Sequence, residues 1–368
     1  MKVLIFTSSG GTAHDAAAYA LRDWMQQRWP EADVQVEAVL ENAHPLLRAA
    51  VEAYNWIQTH APWLHQLYWR MLELEDSLKP GTVVLGRRYV VALLRRLQPD
   101  LLISTHPHTN RGHFDLAKRV LGPQLRCITC CTELEGGFGF SRNWVSPRAD
   151  LFWTLTPALA AELRRRRYPP ERVRCLGPLL HPPFHGALAP ERPPAGLPLL
   201  VLGTGANGAN NHIQLLEALL PWAGRLQVVA LCGRRAAALS ALQAWMATHP
   251  QMVVQPLGFQ GPEAMAGLYR RAWAMVSRPG ARTATEALTL GCPLIFNRYG
   301  VTMPQELLAI RYFQARGLEV SIWRPAQLAA VVGRWLNDPA AYQALRSRYQ
   351  QQRLPAHPEA VLAALAHG

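Results

Sequence analysis

One stretch near the C-terminal end combines cationic side chains, a glycine and a carboxylate at a spacing that suits an anionic ligand. Arg278, Gly280, Thr283 and Glu286 follow a short apolar run, and Arg282 lies among them. This order predicts a strand, a turn and a helix that begins near Thr283, with Glu286 in its first turn. The free N–H groups and positive dipole of such a helix N-terminus favour a phosphate, and Glu286 can accept sugar hydroxyls. An ordinary strand–turn–helix without a ligand fits the same residues.

A glycine turn near the start of the chain is the second candidate for ligand binding. Residues 2–7 read as a buried strand, Gly10 and Gly11 as a tight turn, and residues 16–29 as an amphipathic helix. A unit of this kind opens a doubly wound domain. The turn lacks the complete dinucleotide fingerprint, and no acidic residue follows the second strand at the expected place. These absences argue against a hydride-transfer enzyme.

Histidines and cysteines form two short clusters that invite a metal hypothesis. His106, His108 and His113 lie close together, but Pro107 and the lack of an i, i+4 pair on a helix argue against a preformed site. Residues 127–131 read Cys-Ile-Thr-Cys-Cys, which is half the spacing of a zinc site without a second pair. We therefore predict neither a metal nor another cofactor.

The strand, glycine turn and helix pattern occurs twice, which predicts two α/β domains. We predict an N-terminal domain over residues 1–180, a proline-rich linker over residues 181–197 and a C-terminal domain over residues 198–368. A chain of 368 residues with 49% hydrophobic residues can fill two cores. The second glycine turn contains Gly205, and its backbone can approach a diphosphate closely because glycine has no Cβ.

The stretch from Arg278 to Glu286 resembles the donor-binding loop of the family that contains monogalactosyldiacylglycerol synthases, processive diacylglycerol glucosyltransferases and the peptidoglycan lipid-linked N-acetylglucosaminyltransferase. In that family an Arg or Lys, a Gly, a Thr and a Glu at this spacing hold a UDP-sugar. Here they correspond to Arg278, Gly280, Thr283 and Glu286. Arg282 departs from the pattern, because galactolipid synthases usually have a second glycine there. The resemblance implies an α/β glycosyltransferase B fold, in which two Rossmann-like doubly wound domains face a cleft.

The resemblance covers nearly the whole chain and implies further site residues. Those on the donor side are Gly205, Arg234, Phe259, Ala281, Gln305 and Glu306, the last two as ligands of the hexose. Those on the acceptor side are Gly11, His106, Glu133 and Trp144. His14 follows a turn similar to the family's Gly-Gly-x-Gly-His loop and is implied as the catalytic base, a role that suits an imidazole neutral near pH 7.

Two of these residues have alternative interpretations. His14 can instead lie beside a helix N-cap and face solvent. Glu133 can contact the acceptor, orient His14, or be a solvent-facing acid in a loop.

The formal charge of +13 and the pI of about 10.0 predict an anionic partner. A membrane surface is favoured over nucleic acid, because no nucleic-acid motif is recognisable and the basic residues lie beside apolar and aromatic ones. The candidate membrane residues are Trp56, Trp63, Arg87, Arg88, Arg95 and Arg96. Helical spacing puts the two tryptophans on one face, although such a stripe is more often core. The segment with the four arginines predicts an amphipathic helix whose cationic rim meets anionic headgroups. The alternative interpretation is a solvated surface helix that packs on the sheet.

The resemblance therefore implies a peripheral enzyme at the cytoplasmic face of a membrane. It is expected to move a hexose from a UDP-sugar to a lipid hydroxyl with inversion, diacylglycerol being the favoured acceptor. Within the same fold, the alternatives are a soluble transferase that acts on a sugar or peptidoglycan precursor and a UDP-sugar epimerase. A membrane-binding protein without activity is the alternative from another class, and the retained donor residues argue against it.

Overall fold

The computed structural model describes residues 1–10, 12–64, 67, 70–71, 83, 85–185, 196–203, 211–355 and 357–366. The chain divides into two compact units. Unit 1 comprises Met1–Pro182, Met303–Leu308 and Pro355–Gly368, and unit 2 comprises Pro183–Thr302 and Ala309–Leu354.

Unit 1 contains a parallel sheet of six strands in the order β2-β1-β3-β4-β5-β6. The strands are β1 (Lys2–Thr7), β2 (Asp33–Ala38), β3 (Leu101–Ser104), β4 (Arg126–Cys130), β5 (Leu151–Thr154) and β6 (Val173–Cys175). Its helices are α1 (Thr12–Arg28), α2 (Val39–Ala43), α3 (Pro45–His60), α4 (Arg87–Leu97), α5 (His113–Leu121), α6 (Pro157–Arg165) and α14 (Pro358–Ala366).

Helices cover both faces of this sheet, which is why the central strands β1 and β3 are buried along almost their whole length, whereas the edge strand β2 alternates exposed polar and buried apolar residues in its first half. Successive side chains of a strand point to opposite faces. Val3 and Ile5 of β1 therefore join one core with α1 and α14, whereas Leu4 and Phe6 join the other core with α4 and α5. The sheet is thus a central layer between two layers of helices.

Unit 2 repeats this design with a second parallel sheet in the order β12-β11-β10-β7-β8-β9. The strands are β7 (Leu199–Leu202), β8 (Gln227–Gly233), β9 (Val253–Gly258), β10 (Ala274–Ser277), β11 (Leu294–Asn297) and β12 (Ser321–Ile322). The helices are α7 (His212–Leu219), α8 (Ala236–Thr248), α9 (Pro262–Arg271), α10 (Ala281–Leu290), α11 (Glu306–Gln314), α12 (Pro325–Asn337) and α13 (Pro339–Gln351), and α11 begins within unit 1. The predicted class of two parallel α/β sheets is confirmed.

The strand order locates the place where each sheet can bind a ligand. In a doubly wound sheet, ligands bind beyond the carboxyl ends of the strands, at the point where the order reverses. In unit 1 that point lies between β1 and β3, whose register pairs Val3 with Leu101. In unit 2 it lies between β7 and β10, whose register pairs Leu200 with Ala274.

Candidate active site

The loop after β10 leads into the N-terminus of α10 at the switch point of unit 2. The helix begins at Ala281, two residues earlier than predicted, and Gly280 is its N-cap with an extended backbone at φ −76°. Gly280 offers no side chain to cap the first-turn N–H groups, and a Cβ built on it meets no described atom within 4 Å. Neither backbone strain nor packing requires a glycine at this position. Because no described side chain caps the first turn of α10, the backbone N–H groups of Ala281 and Thr283 are open to an anion.

Glu286 occupies a different environment from the one that the sequence predicted. The earlier start of α10 puts it in the second turn, and it is only 4% exposed. Its Oε1 accepts from Arg282 Nε at 2.8 Å, and its Oε2 accepts from the Tyr269 hydroxyl at 3.0 Å. This carboxylate raises the pKa of Arg282, and burial raises the pKa of Tyr269 well above its usual range. Arg282, the residue that departs from the family pattern, thus holds Glu286 in place.

Arg278 donates to backbone carbonyl groups at the end of β11 and in the segment that follows it. Its guanidinium donates to Asn297 O at 3.2 Å, Tyr299 O at 3.1 Å and Val301 O at 2.5 Å. These contacts tether residues 297–301 beside the start of α10. The assignment of Arg278 to phosphate binding stays a prediction, and the structure adds a structural function for its side chain.

Two other donor-side residues lie together at the carboxyl ends of β8 and β9. The guanidinium carbon of Arg234 lies 4.6 Å from the centroid of the Phe259 ring, which is a cation–π distance. Phe259 is 58% exposed, so this ring and its arginine form an open face at the strand ends. Gly205, predicted on the donor side as well, lies outside the described residues.

Gln305 and Glu306 pack with unit 1, although strands of unit 2 precede and follow them in the chain. Glu306 is buried, and its Oε2 accepts from the Met303 N–H at 2.8 Å, so it fixes the turn that opens α11. Gln305 Nε2 donates to the hydroxyl of Tyr54 on α3 at 3.1 Å. Their predicted function as hexose ligands is untested.

His14 lies at the switch point of unit 1, in the first turn of α1, because that helix begins at Thr12 rather than at Ala16. The alternative interpretation, a ring that faces solvent, is wrong, since the ring is partly buried against its neighbours. Its Nδ1 lies 2.9 Å from Thr105 O and 3.2 Å from Thr132 Oγ1. A carbonyl oxygen can only accept, so neutral His14 carries its proton on Nδ1 and keeps the lone pair on Nε2. Burial and nearby His108 lower the pKa of His14 to about 4, which keeps the imidazole neutral near pH 7.

Two of the residues predicted on the acceptor side, His106 and Trp144, lie against this imidazole. The ring of His106 meets the ring of His14 edge-to-face, with centroids 4.6 Å apart, and the buried indole of Trp144 is 5.7 Å away. His106 Nδ1 accepts from the His108 N–H at 3.3 Å, and burial together with the neighbouring histidines holds the pKa of His106 well below its usual range. Gly11 lies outside the described residues.

Glu133 is not a solvent-facing acid, because it is only 8% exposed. Burial raises the pKa of Glu133 to about 8, so the carboxyl group is protonated in most molecules at neutral pH. The hydrogen bonds of His14 Nδ1 go to Thr105 O and to the hydroxyl of Thr132, the residue before Glu133. No sequence pattern marks Thr105, because its contact with His14 is made by the backbone carbonyl. Thr132 was not predicted as a site residue, because the adjacent Glu133 was assigned instead.

The candidate membrane residues are exposed but do not form one helix face. Trp56 lies on α3 and is 54% exposed, whereas Trp63 follows α3 in the short turn Pro62–Leu64 and is 68% exposed. The idea of a single helical stripe is therefore wrong, and so is the idea that these two side chains are core. The aromatic residues at 68 and 69 lie outside the described residues.

The basic helix forms as predicted, as α4. Its four arginines at positions 87, 88, 95 and 96 are exposed, and Val90, Leu93 and Leu94 are buried in the core of unit 1. Since the apolar face packs on the sheet, only the cationic rim can meet a surface.

Among the described residues, no helix has the length and apolar character needed to cross a bilayer. The same part of the chain contains no group of three His, Cys, Asp or Glu side chains arranged to bind a metal ion.

Comparison with solved structures defines the class of fold. MurG of Acinetobacter baumannii superposes with a TM-score of 0.61 at 18% identity, covering 99% of this chain and 98% of MurG. The UDP-GlcNAc 2-epimerase of Neisseria meningitidis, solved with UDP-GlcNAc, superposes with a TM-score of 0.60 at 13% identity and covers both chains completely. The chain has the glycosyltransferase B fold that the resemblance implied.

Comparison of sequences points to particular relatives, whereas comparison of structures points only to the fold. The profile of monogalactosyldiacylglycerol (MGDG) synthase matches residues 14–179. The processive diacylglycerol beta-glucosyltransferase of Bacillus pumilus is 23% identical over 372 residues, which cover 98% of this chain and 93% of that protein. These matches confirm the resemblance that the donor loop indicated, and they confirm the prediction of a glycosyltransferase.

Proposed function

We propose that the chain transfers a hexose from a UDP-sugar to a lipid hydroxyl, with diacylglycerol as the favoured acceptor and with inversion at the anomeric carbon. One observation supports this most strongly: each sheet places a reactive group at its own switch point. Unit 1 presents a neutral imidazole with its lone pair on Nε2, and unit 2 presents a helix N-terminus open to an anion. In a transfer from a nucleotide-sugar, the first can take the proton of the acceptor and the second can bind the diphosphate.

In the proposed reaction His14 acts as the base. Its Nε2 takes the proton of the acceptor hydroxyl while the hydroxyl oxygen attacks the anomeric carbon. The bond from that carbon to the UDP oxygen breaks on the opposite face, so the configuration inverts. The hydrogen bond from Nδ1–H to Thr105 O stabilises the imidazolium that forms. In other enzymes that use a histidine base, an acceptor bound to Nδ1–H has the same effect.

The leaving UDP gains charge as that bond breaks. The first-turn N–H groups of α10 and the guanidinium of Arg278 are the groups that we assign to this charge, because Arg278 donates to neutral carbonyl groups whereas Arg282 is paired with Glu286. Glu286 is assigned to the ribose or sugar hydroxyls, and Arg234 with Phe259 to the face of the base. We keep Gln305 and Glu306 as ligands of the hexose.

Because the N-terminus of α10 and Arg278 supply the positive charge in this proposal, we predict that the reaction proceeds without a divalent cation. Treatment with excess EDTA followed by desalting is expected to leave the transfer rate unchanged within twofold. Addition of Mg²⁺ or Mn²⁺ to the treated protein is expected to have no effect beyond that of ionic strength. A rate that falls with EDTA and returns with one cation would contradict this assignment.

Acceptor discrimination tests the proposed function against its alternatives. UDP release is measured with UDP-glucose or UDP-galactose and one of three additions: diacylglycerol in vesicles, a soluble sugar or peptidoglycan precursor, or no acceptor. Release that needs the vesicle lipid supports the proposal. Release with the soluble acceptor alone identifies the soluble transferase, and a new UDP-sugar or free UDP without acceptor identifies the epimerase.

We further propose that the protein works as a peripheral protein at the cytoplasmic face of a membrane, with an anionic surface as its partner. The net charge of +13 and the exposed arginines of α4 are what support this. Each arginine near an anionic surface contributes roughly 1 kcal/mol, and salt weakens that contribution over the screening range.

Replacing Arg87, Arg88, Arg95 and Arg96 together with Gln is therefore expected to reduce binding to anionic vesicles by about tenfold or more. UDP affinity should remain that of the parent, because the arginines lie in unit 1 on a helix packed on its sheet. Vesicle sedimentation and calorimetry with UDP measure the two effects. A control variant replaces the exposed arginines 164 and 167 of α6 and the turn after it with Gln, which removes two charges rather than four. An equal loss of binding free energy per charge removed in both variants would mean that net charge acts rather than α4, and no loss in the first variant would make α4 a solvated face only.

A further inference from the structure

Helix α3 directs an unusual set of side chains toward the rest of unit 1. Its less exposed positions include Leu47, Val51, Tyr54, Asn55 and Gln58, which repeat at the spacing of one helix face. A helix that only packs on a core carries apolar residues along that stripe. Here the later members of the stripe, Tyr54, Asn55 and Gln58, carry polar groups. These side chains therefore make hydrogen bonds and other polar contacts in addition to any burial of apolar surface.

Those polar side chains contact two segments that the proposed reaction uses. Asn55 Nδ2 donates to Ser9 O at 3.3 Å, in the turn between β1 and α1. Gln58 Nε2 lies 3.7 Å from Met303 Sδ, and the hydroxyl of Tyr54 accepts from Gln305 Nε2 at 3.1 Å. One helix face thus joins the turn before His14 to the segment that opens α11.

Tyr54 occupies the centre of this arrangement. A Cβ built on Gly10 would lie 3.9 Å from Tyr54 Cδ1 and 3.6 Å from His106 Nε2, so the phenol ring stands beside the switch point of unit 1. Gly139 with φ +96° lets the carbonyl of Pro304 approach so closely that any Cβ there would collide with it. The backbone at Pro304 and Gln305 therefore packs against Gly139, and the Gln305 side chain is held by the Tyr54 hydroxyl.

We propose that Tyr54 is a positioning residue that fixes the Gln305 amide for contact with the hexose of the donor. This rests on the proposed function, in which Gln305 binds that hexose. A glutamine side chain has three rotatable bonds, and a hydrogen bond from Nε2 to a phenol on a rigid helix leaves its carbonyl oxygen in one orientation. Tyr54 itself contacts neither donor nor acceptor in this proposal and acts through Gln305.

The Tyr54→Phe variant removes only the hydroxyl and keeps the ring, which makes it a mild test. We expect its KM for the UDP-hexose to rise by about threefold to tenfold, because one hydrogen bond of this size is lost, with a smaller change in kcat. Affinity for UDP, which lacks the hexose, should stay that of the parent. The matched control is Tyr19→Phe, which removes the hydroxyl of an exposed tyrosine on α1 and should match the parent in every measurement.

A double-mutant cycle separates positioning from a general structural effect. Gln305→Ala should raise KM by itself, and adding Tyr54→Phe to it should raise KM no further. The inference is overturned if Tyr54→Phe keeps the parent KM, if its affinity for UDP falls as much as its affinity for the UDP-hexose, or if the two substitutions act additively. A parent protein that transfers no hexose from any UDP-sugar would instead contradict the proposed function, so the two failures are distinguishable.

Discussion

His14→Ala is expected to lower turnover by roughly a hundredfold or more while donor binding is retained, as loss of a general base does. The imidazole is the group at the unit 1 switch point whose protonation the structure defines, with Nδ1–H on Thr105 O and a free lone pair on Nε2. Single-turnover kinetics with the UDP-hexose measure the rate, and calorimetry with UDP measures the binding. The control is His249→Ala, which removes an imidazole that stacks on Trp245 in unit 2.

The pH profile gives this prediction a second readout. A base works in its deprotonated form, and the pKa of His14 is lowered to about 4. Activity should therefore persist as the pH falls below 6.5, the pKa of an ordinary histidine, and decline only as it approaches about 4. Turnover of His14→Ala within a few-fold of the parent would mean that the base lies elsewhere, and Glu133 would be the next residue to replace.

Glu286→Ala is expected to act on both binding and stability. Removal of a charge-assisted contact should weaken binding of the UDP-hexose by about 1.5–3 kcal/mol. The substitution also leaves Arg282 and the buried hydroxyl of Tyr269 without their acceptor, which should lower the free energy of unfolding by roughly 2–3 kcal/mol after allowance for the partial exposure of Arg282. Calorimetry with UDP-hexose and denaturant unfolding measure the two losses.

Glu162→Ala is the matched control for this variant. Glu162 is another buried carboxylate that holds two arginines, Arg165 at 2.7 Å and Arg166 at 2.8 Å, but it lies in unit 1 on α6. It should lose stability and keep its affinity for UDP-hexose. If Glu286→Ala loses stability alone, as the control does, Glu286 is a structural residue and its assignment to the donor is wrong.

The sequence was sufficient for the elements and their order because the signals are local. The apolar run at residues 2–7 predicted β1, and α10 ends where a glycine, Gly291, adopts the left-handed conformation at φ +68°. The donor loop was recognisable for the same reason, since its residues lie within nine positions of one another. Boundaries differed by two to four residues where α1 and α10 begin, and this shift moved Glu286 from the first turn to the second.

The surroundings of the site residues could not be predicted, because they come from distant parts of the chain. Tyr54 and Gln305 are 251 positions apart, and His14 is held by a backbone carbonyl 91 positions away that has no sequence signature. The burial of Glu133 was also hidden, since a loop acid is usually exposed. These are tertiary effects, and they decide the protonation states on which the proposed chemistry depends.

The most direct test of the proposed function is identification of the lipid product. The protein is incubated with vesicles that contain diacylglycerol and with UDP-glucose or UDP-galactose in turn, and the extracted lipids are analysed by mass spectrometry and by NMR of the anomeric proton. We predict a hexosyl-diacylglycerol whose anomeric configuration is opposite to that of the donor, formed by the parent and at most in traces by His14→Ala. A lipid fraction without hexose, while UDP or an altered UDP-sugar accumulates, or a product that retains the donor configuration, would contradict it.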